Sequence, residues 1–459
     1  MNVCYVTMAF PATSETFACL EVRTLREAGL SVSVYALRPA GIRGEDEPFG
    51  FFTSRARGRE AAQLLADRGL GDLPVNHTTS LALLRGSWVA VTHPSTLLDL
   101  LAWLWRRNWQ SPRHLIKSLV LVPRCLDIFS SIRRARPDVV HLFWGHYPTI
   151  VGYLVHRHLP DVVLSMFLGA YDLNRCYPGS AAVARAADVV WTHCRHNVRG
   201  IAALAVPSSR LRVAYRGVDV EAFFHRGSRK VPRRVVTAGR LLPQKGMDDV
   251  LMAFAKVHGR WPEASLVVLG DGPERSRLVS RARALGIGSA VTFRGHVGHD
   301  QVRQEMASAE VFVLLSKSAS ERLPNAVKEA MASRCACVVT NTPGIEELVE
   351  DGLSGLLVPY GDVEGAARQI AHLLHDPERA AAVASVAQER VCAQFDVRRS
   401  IRAYQECWTE LLQRRPHESP ELPQLPPRSP PVGAGGAIGD GGVVAACPTE
   451  PLAARNDEC

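Results

Sequence analysis

The sequence predicts an α/β protein made of two doubly wound domains facing across a cleft, followed by a tail without regular structure. Three observations predict it. At 459 residues the chain is too long for one ordinary core. Apolar, strand-length runs alternate with stretches at helical spacing, once before residue 220 and again after residue 234. Between the two series lies the polar, basic segment "HRGSRKVPRR" (His225 to Arg234). This reading places an N-terminal domain at 1–225, a C-terminal domain at 226–412 and a tail at 413–459, with the last helices as candidates to pack back on the first domain.

Taken in order, "NVCYVTMAF" is an apolar strand. "TFACLEVRTLREAGL" carries Leu20, Val22 and Leu25 at helical spacing and ends at Gly29, a C-cap residue. "SVSVYALRP" is the next strand, and a β-α-β unit implies a parallel sheet with a right-handed crossover. Residues 58–136 read as helical, with Trp88, Trp103, Trp105 and Trp109 interleaved with Arg106, Arg107, Arg113 and Lys117. That stretch fits either a membrane-surface patch or a helical insertion whose tryptophans pack on the first domain. Strands resume at "DVVHLFWGHYP", "DVVLSMFLGAYD" and "ADVVWTHC", and "RLRVAYRGVD" closes the first half. The second half repeats the alternation, with strands at "VVTAG", "ASLVVLG", "AVTFRG", "VFVLL" and "CACVV" and helices between them. "GIEEL" reads as a helix between two short strands, and 377–412 as helices.

Hydrophobic content of 47% and charged content of 22% fit a water-soluble globular protein. No apolar run reaches the roughly 18 residues of a membrane span. The N-terminus lacks a basic leader and reads as a first strand, so the expected location is the cytoplasm, including the cytoplasmic face of the membrane. Eleven cysteines without a C-x-x-C pair read as reduced thiols; Cys335 and Cys337 alternate along a strand. The net charge is +9, yet the 44 residues from Pro416 hold two Arg and six acidic residues, which leaves the body strongly basic. With nine Pro and six Gly, that segment reads as disordered. A basic body suits anionic partners such as nucleotides or phospholipid head groups.

The candidate chemistry sits at strand ends of the second half. "AGRLLPQKG" puts Arg240, Lys245 and a helix N-terminus in one loop after Gly239, a pocket for a di-anion. "LGDGPE" and "FRGHV" place glycines where backbone approaches something, the second suiting a flat base. "SERLPNAVKEAMA" puts Glu321 before a helix and Glu329 on it, with Pro324 in the first turn. Ionised carboxylates are acceptor-only groups and suit sugar hydroxyls.

These motifs, Glu-x7-Glu at 321 and 329, "GR(x4)KG", "RGVD" (Arg216 to Asp219) and "PGIEELVEDGLSGLLV", occur in the order that resembles the family-4 retaining glycosyltransferases of GT-B fold. The N-terminal "FPATSETFACLEVRTLREAGLSVSVYALRP" resembles the branch that builds exopolysaccharide and cell-surface glycans, and the resemblance spans nearly all of residues 1–412. It implies that a sugar moves, with retention, from a UDP- or GDP-linked nucleotide sugar to a glycan or lipid-linked acceptor, with no metal and no nucleic acid involved. Arg240, Lys245 and Glu321 would be catalytic. Glu329 would hold the ribose, Leu323, Pro324, Asn325 and Gly239 would line the phosphates, and backbone from Arg294 to Val297 would meet the base. Ser14, Glu15 and Thr16 would face the acceptor.

Two departures stand out. Where relatives carry a histidine that contacts the donor sugar, this chain has Gly169, in "FLGAYDL"; Asp172 or His146 could substitute, or be structural polar residues. Arg322 replaces a small residue, adding charge at the phosphate end or pointing to solvent. The alternative to an enzyme is a non-catalytic nucleotide-sugar-binding subunit of a glycan assembly complex.

Overall fold

A computed structural model describes residues 1–12, 16–38, 55–224 and 230–415. The expected domain boundary at 225 and the tail from Pro416 lie outside the described residues, as do Ser14 and Glu15.

The first sheet is built from β1 (Asn2–Thr7), β2 (Ser31–Ala36), β3 (Val75–Asn76), β4 (Val139–Phe143), β5 (Val163–Phe167), β6 (Val189–Thr192) and β7 (Leu211–Val213), in the spatial order β3-β2-β1-β4-β5-β6-β7. Every pairing is parallel. The connecting helices are α1 (Thr16–Glu27), α2 (Arg55–Ala66), α3 (Ser80–Thr92), α4 (Pro94–Asn108), α5 (Pro112–Ala135), α6 (Thr149–His158), α7 (Ala170–Arg175), α8 (Ser180–Ala186), α9 (His196–Ala202) and α10 (Val220–Phe223). Helices on both faces bury β4 and β5 along their whole length, which is why these strands are mostly apolar rather than alternating, with His141 and Ser165 as buried polar exceptions. Within β1, Cys4 and Val6 face one core while Val3 and Tyr5 face the other.

The second sheet holds β8 (Arg234–Ala238), β9 (Ser265–Leu269), β10 (Val291–Gly295), β11 (Val311–Leu314), β12 (Ala336–Thr340) and β13 (Leu356–Val358), in the order β10-β9-β8-β11-β12-β13, again all parallel. Its helices are α11 (Met247–Arg260), α12 (Arg275–Ala284), α13 (His299–Ser308), α14 (Asn325–Ala332), α15 (Val363–His375) and α16 (Pro377–Gln394). The expected helix at "GIEEL" is only a 3-10 turn, Ile345–Glu347. Strand β12 begins at Ala336, so Cys335 precedes it; both Cys335 and Cys337 are buried.

The last helix, α17 (Val397–Arg414), leaves the second domain. Val397, Ile401, Tyr404 and Trp408 join the core of the first sheet, and the Trp408 indole N–H donates to Ser165 Oγ on β5 at 3.0 Å. The tail therefore starts later than expected, because this helix runs past Leu412. Cys4, Cys125, Cys194, Cys335, Cys337, Cys392 and Cys407 form no disulfide among the described residues, and no helix of the described residues is long and apolar enough to cross a membrane.

Candidate active site

In a doubly wound sheet, ligands sit at the carboxyl ends of the strands where the order reverses. In the second sheet that reversal falls between β8 and β11. The loops leaving those two strands carry Arg240 to Lys245 and Ser316 to Pro324.

Backbone packing locks the two loops together. Gly246 has φ +66, and a Cβ there would stand 1.7 Å from the Leu315 carbonyl oxygen, so only glycine fits. The Lys317 N–H donates to the Gln244 carbonyl at 2.8 Å. The "LGDGPE" glycines have the same cause: a Cβ on Gly270 would meet the Gly239 carbonyl at 1.9 Å.

The lock brings Lys245 to Glu321. The ammonium donates to both carboxylate oxygens, at 2.7 and 2.5 Å, and Ser316 Oγ donates to the same carboxylate at 3.1 Å. Arg240 is exposed, and no side-chain partner holds it among the described residues. Leu323 is buried in the left-handed region, φ +46, an uncommon conformation for a branched side chain. Pro324 is the N-cap of α14 rather than a first-turn residue, and the first amides of α14 from Asn325 lack intrahelical acceptors. Glu329 is half-buried with no hydrogen-bond partner among the described residues. Desolvation pushes its carboxyl up to about 7, against the pull of Lys328 and Arg68. Arg68 comes from the first domain and reaches the Thr16 carbonyl at 3.4 Å, so the start of α1 lies near the second domain's site.

Arg294 does not present a free side chain: its guanidinium pairs with Glu305 at 2.9 Å. The Gly295 carbonyl is taken by the Gly270 N–H, and Val297 packs against the core. Arg322 is half-buried and donates to Asn197 Oδ1 of the first domain at 2.7 Å. Asp172 is buried and accepts from the Gly145 and Gly169 amides, both at 2.9 Å, which makes it a clamp for two loops. His146 is buried beside it, 3.4 Å from Asp172 Oδ1.

The two domains also meet through Glu347, which accepts from the Arg195 and His196 amides at 2.8 and 2.9 Å, and through Asn174 and Ser320 at 2.6 Å. Among the described residues, no three His, Cys, Asp or Glu side chains group as a metal site would require. A groove of about 890 Å³ lies at the opposite, amino ends of β4 and β5, lined by Phe129, Arg133, His158 and Arg415, away from these loops.

The family model described as "Glycosyl transferases group 1" matches residues 220–390. The sulfoquinovosyl transferase SQD2 of Arabidopsis thaliana is 29% identical over 299 residues, which span 59% of this chain and 56% of that protein, little more than half its length. The putative colanic acid biosynthesis glycosyltransferase WcaL of Salmonella typhimurium is 24% identical over 86% of this chain and 96% of its own. The crystal structure of Anabaena Alr3699/HepE in complex with UDP superposes with a TM-score of 0.65 at 17% identity, covering 89% of this chain and all of that one. The fold is GT-B. The matches support a group 1 glycosyltransferase.

At the domain junction, sequence reasoning gave no role to Trp144, Arg216, Lys328 or His193. The Gly169 position is not empty. A Cβ there would lie 2.7 Å from Cζ3 of Trp144, whose indole takes the space into which a side chain would project. Trp144 itself sits at φ +86. Arg216, from "RGVD", lies over the rings of Phe17 and Phe167 at 4.4 and 4.3 Å, with Nε and Nη2 buried and unpartnered. Lys328 is fully buried and donates to the Arg216 carbonyl at 2.7 Å; burial pushes its ammonium down to about 7. His193 is half-buried near these cations, with its Nδ1 buried, and is held well below the usual imidazole range, first by desolvation and then by Arg216. Helical spacing from Pro324 and Met331 puts Lys328 on the core side of α14, a signal present in the sequence. Nothing local marks Trp144 or His193.

Proposed function

We propose that the chain transfers a sugar, with retention and without a metal, from a nucleoside-diphosphate sugar to a glycan or lipid-linked acceptor in cell-surface glycan synthesis. The observation that carries this reading is the Lys245–Glu321 pair at the strand-order reversal, flanked by Arg240, the N-terminus of α14 and Glu329. In this reading Lys245 and Arg240 bind the diphosphate and stabilise the charge that grows on it as the glycosidic bond breaks. Charge-assisted contacts of this kind are each worth about 1.5–3 kcal/mol. Glu321 holds Lys245 in place until phosphate replaces it, then positions the donor sugar. Glu329, otherwise unpartnered, accepts the ribose hydroxyls. Gly239, Leu323, Pro324 and Asn325 shape the phosphate wall, and backbone from Arg294 to Val297 borders the base. In this reading Ser14, Glu15, Thr16 and His146 contribute to recognition of the acceptor. Asp172 acts through the loops it clamps, as a positioning residue.

A panel of UDP- and GDP-sugars screened by thermal shift identifies the donor; a ligand at 100 times its dissociation constant stabilises by about 2.7 kcal/mol. Transfer is then followed by release of nucleoside diphosphate, and the product anomer is read by NMR. An inverted anomer refutes retention. Equal turnover by the parent and Lys245→Ala refutes the assigned role of Lys245.

The Trp144 indole in the place of the expected histidine favours one second reading, a nucleotide-sugar-binding subunit without transferase activity. Donor binding without transfer or donor hydrolysis, across acceptor extracts, would select it.

A further inference from the structure

We infer that the α3–α4–α5 face of the first domain docks on a lipid bilayer carrying anionic head groups. The three helices pack on one another; a Cβ on Gly86 of α3 would lie 1.7 Å from the Pro123 carbonyl of α5, so the contact is a close backbone approach. Their inner sides are ordinary core. On α4, Leu100 and Leu104 are buried, and Trp103 stacks on Tyr153 at 4.4 Å.

Their outer sides are apolar as well. On α3, Leu81, Leu84, Trp88 and Val91 recur at intervals of three and four residues and are all exposed, Trp88 by 69%. On α4, Leu98 and Trp105 stand two turns apart with Trp109 one turn on, the two tryptophans exposed by 63% and 60%. Ile116 and Leu119 continue the pattern on α5. A helix apolar all round is normally covered by something. Of the two readings of this stretch, packing of the tryptophans on the domain holds for Trp103; Trp88, Trp105 and Trp109 face outward.

Charge selects the cover. Arg106, Arg107, Arg113 and Lys117 are exposed on the same helices, and none has an ion-pair partner among the described residues. Asp99 is the one acidic residue between Leu81 and Val120, and it is occupied by the Tyr153 hydroxyl at 2.8 Å and Arg157 at 3.7 Å. A second copy of this face would bring cations onto cations with no free acid between them. Anionic head groups complement it: tryptophans settle at the interface, and long basic side chains reach the phosphates while their stems cover apolar surface. The face also adjoins the acceptor side. His114 near the start of α5 meets the Tyr147 hydroxyl at 3.1 Å, and Tyr147 follows His146 after β4. A bilayer there would hold a lipid-linked acceptor beside the cleft. That last step rests on the proposed transfer reaction; the docking itself does not.

The test is co-sedimentation of the full chain with vesicles of phosphatidylcholine alone and of phosphatidylcholine with phosphatidylglycerol. The parent should pellet only with the anionic vesicles, and less at high salt. One basic residue near an anionic surface contributes about 1 kcal/mol, so a variant carrying Arg106→Ser, Arg107→Ser, Arg113→Ser and Lys117→Ser should partition roughly 10²- to 10³-fold less. A variant carrying Trp88→Ser, Trp105→Ser and Trp109→Ser should also lose binding, with unchanged melting by circular dichroism because these side chains are exposed. No binding to either vesicle, equal binding to both, or variants that bind like the parent overturns the proposal. So does a parent dimer in sedimentation equilibrium that the tryptophan variant dissociates. Vesicle binding needs neither donor nor acceptor, so its failure is separable from failure of the transfer reading.

Discussion

Gly169→Ala tests whether Trp144 fills the place of the missing histidine. Gly169 has φ −100 and ψ 175, a conformation any L-residue adopts, so the backbone adds no penalty. The whole cost is steric. The new methyl would stand 2.7 Å from Trp144 Cζ3, where ordinary contact begins at 3.4 Å, so the indole or the loop must move by about 0.7 Å. The indole is not free to do so: it makes edge contacts with Phe17, Phe143 and Phe167 at centroid distances of 6.1, 5.3 and 5.7 Å. Overpacking of this kind costs about 1–3 kcal/mol. At roughly 2–4 °C per kcal/mol for a domain of this size, the melting temperature should fall by roughly 2–12 °C. Melting followed by near-ultraviolet circular dichroism reads the tryptophans directly. In a Trp144→Ala background the added methyl has room, so the double variant should be more stable than the sum of the singles by at least about 1 kcal/mol. A neutral Gly169→Ala, or strictly additive singles, would refute the reasoning.

Three further outcomes are expected. Desolvation raises the Glu329 carboxyl to about 7 from an ordinary value near 4.5, so the protonated form is favoured in the fold and stability is lost as pH rises through that window. Without ligand, Glu329→Gln should therefore match the parent near pH 4.5 and become the more stable of the two towards pH 8, measured by thermal melts. Lys245→Ala should lower kcat by roughly 10²- to 10³-fold, the scale of one lost transition-state contact. Its melting temperature should fall somewhat, because Glu321, 14% exposed, loses its cation, whereas circular dichroism should show the fold intact. Gly246→Ala meets both a left-handed backbone and a carbonyl at 1.7 Å, and should cost at least about 3 kcal/mol and abolish donor binding.

How far the site was legible depended on whether the signal was local. The structure brings Lys245 and Glu321 together, and both could be singled out because each sits in a short loop at a strand end; Glu329, in the second turn of α14, was marked by its spacing from Glu321. The Arg322 contact with Asn197 could not be foreseen, because the two residues are 125 positions apart. Arg294 was assigned for its backbone, while its side chain serves Glu305 on the following helix. Asp172 could be recognised as polar, but only the fold aims it at two loop amides.

The sequence alone determined the two series of alternating elements, because buried parallel strands need unbroken apolar runs and surface helices need a period near 3.6. It also determined which loops carry cations and carboxylates. The tertiary structure decided the rest. It sent α17 back to the first sheet, set the indole of Trp144 against Gly169, and turned three tryptophans of α3 and α4 outward. Each of these depends on which surfaces meet across long stretches of chain, and a periodic pattern fixes which side of an element is apolar but not what covers it.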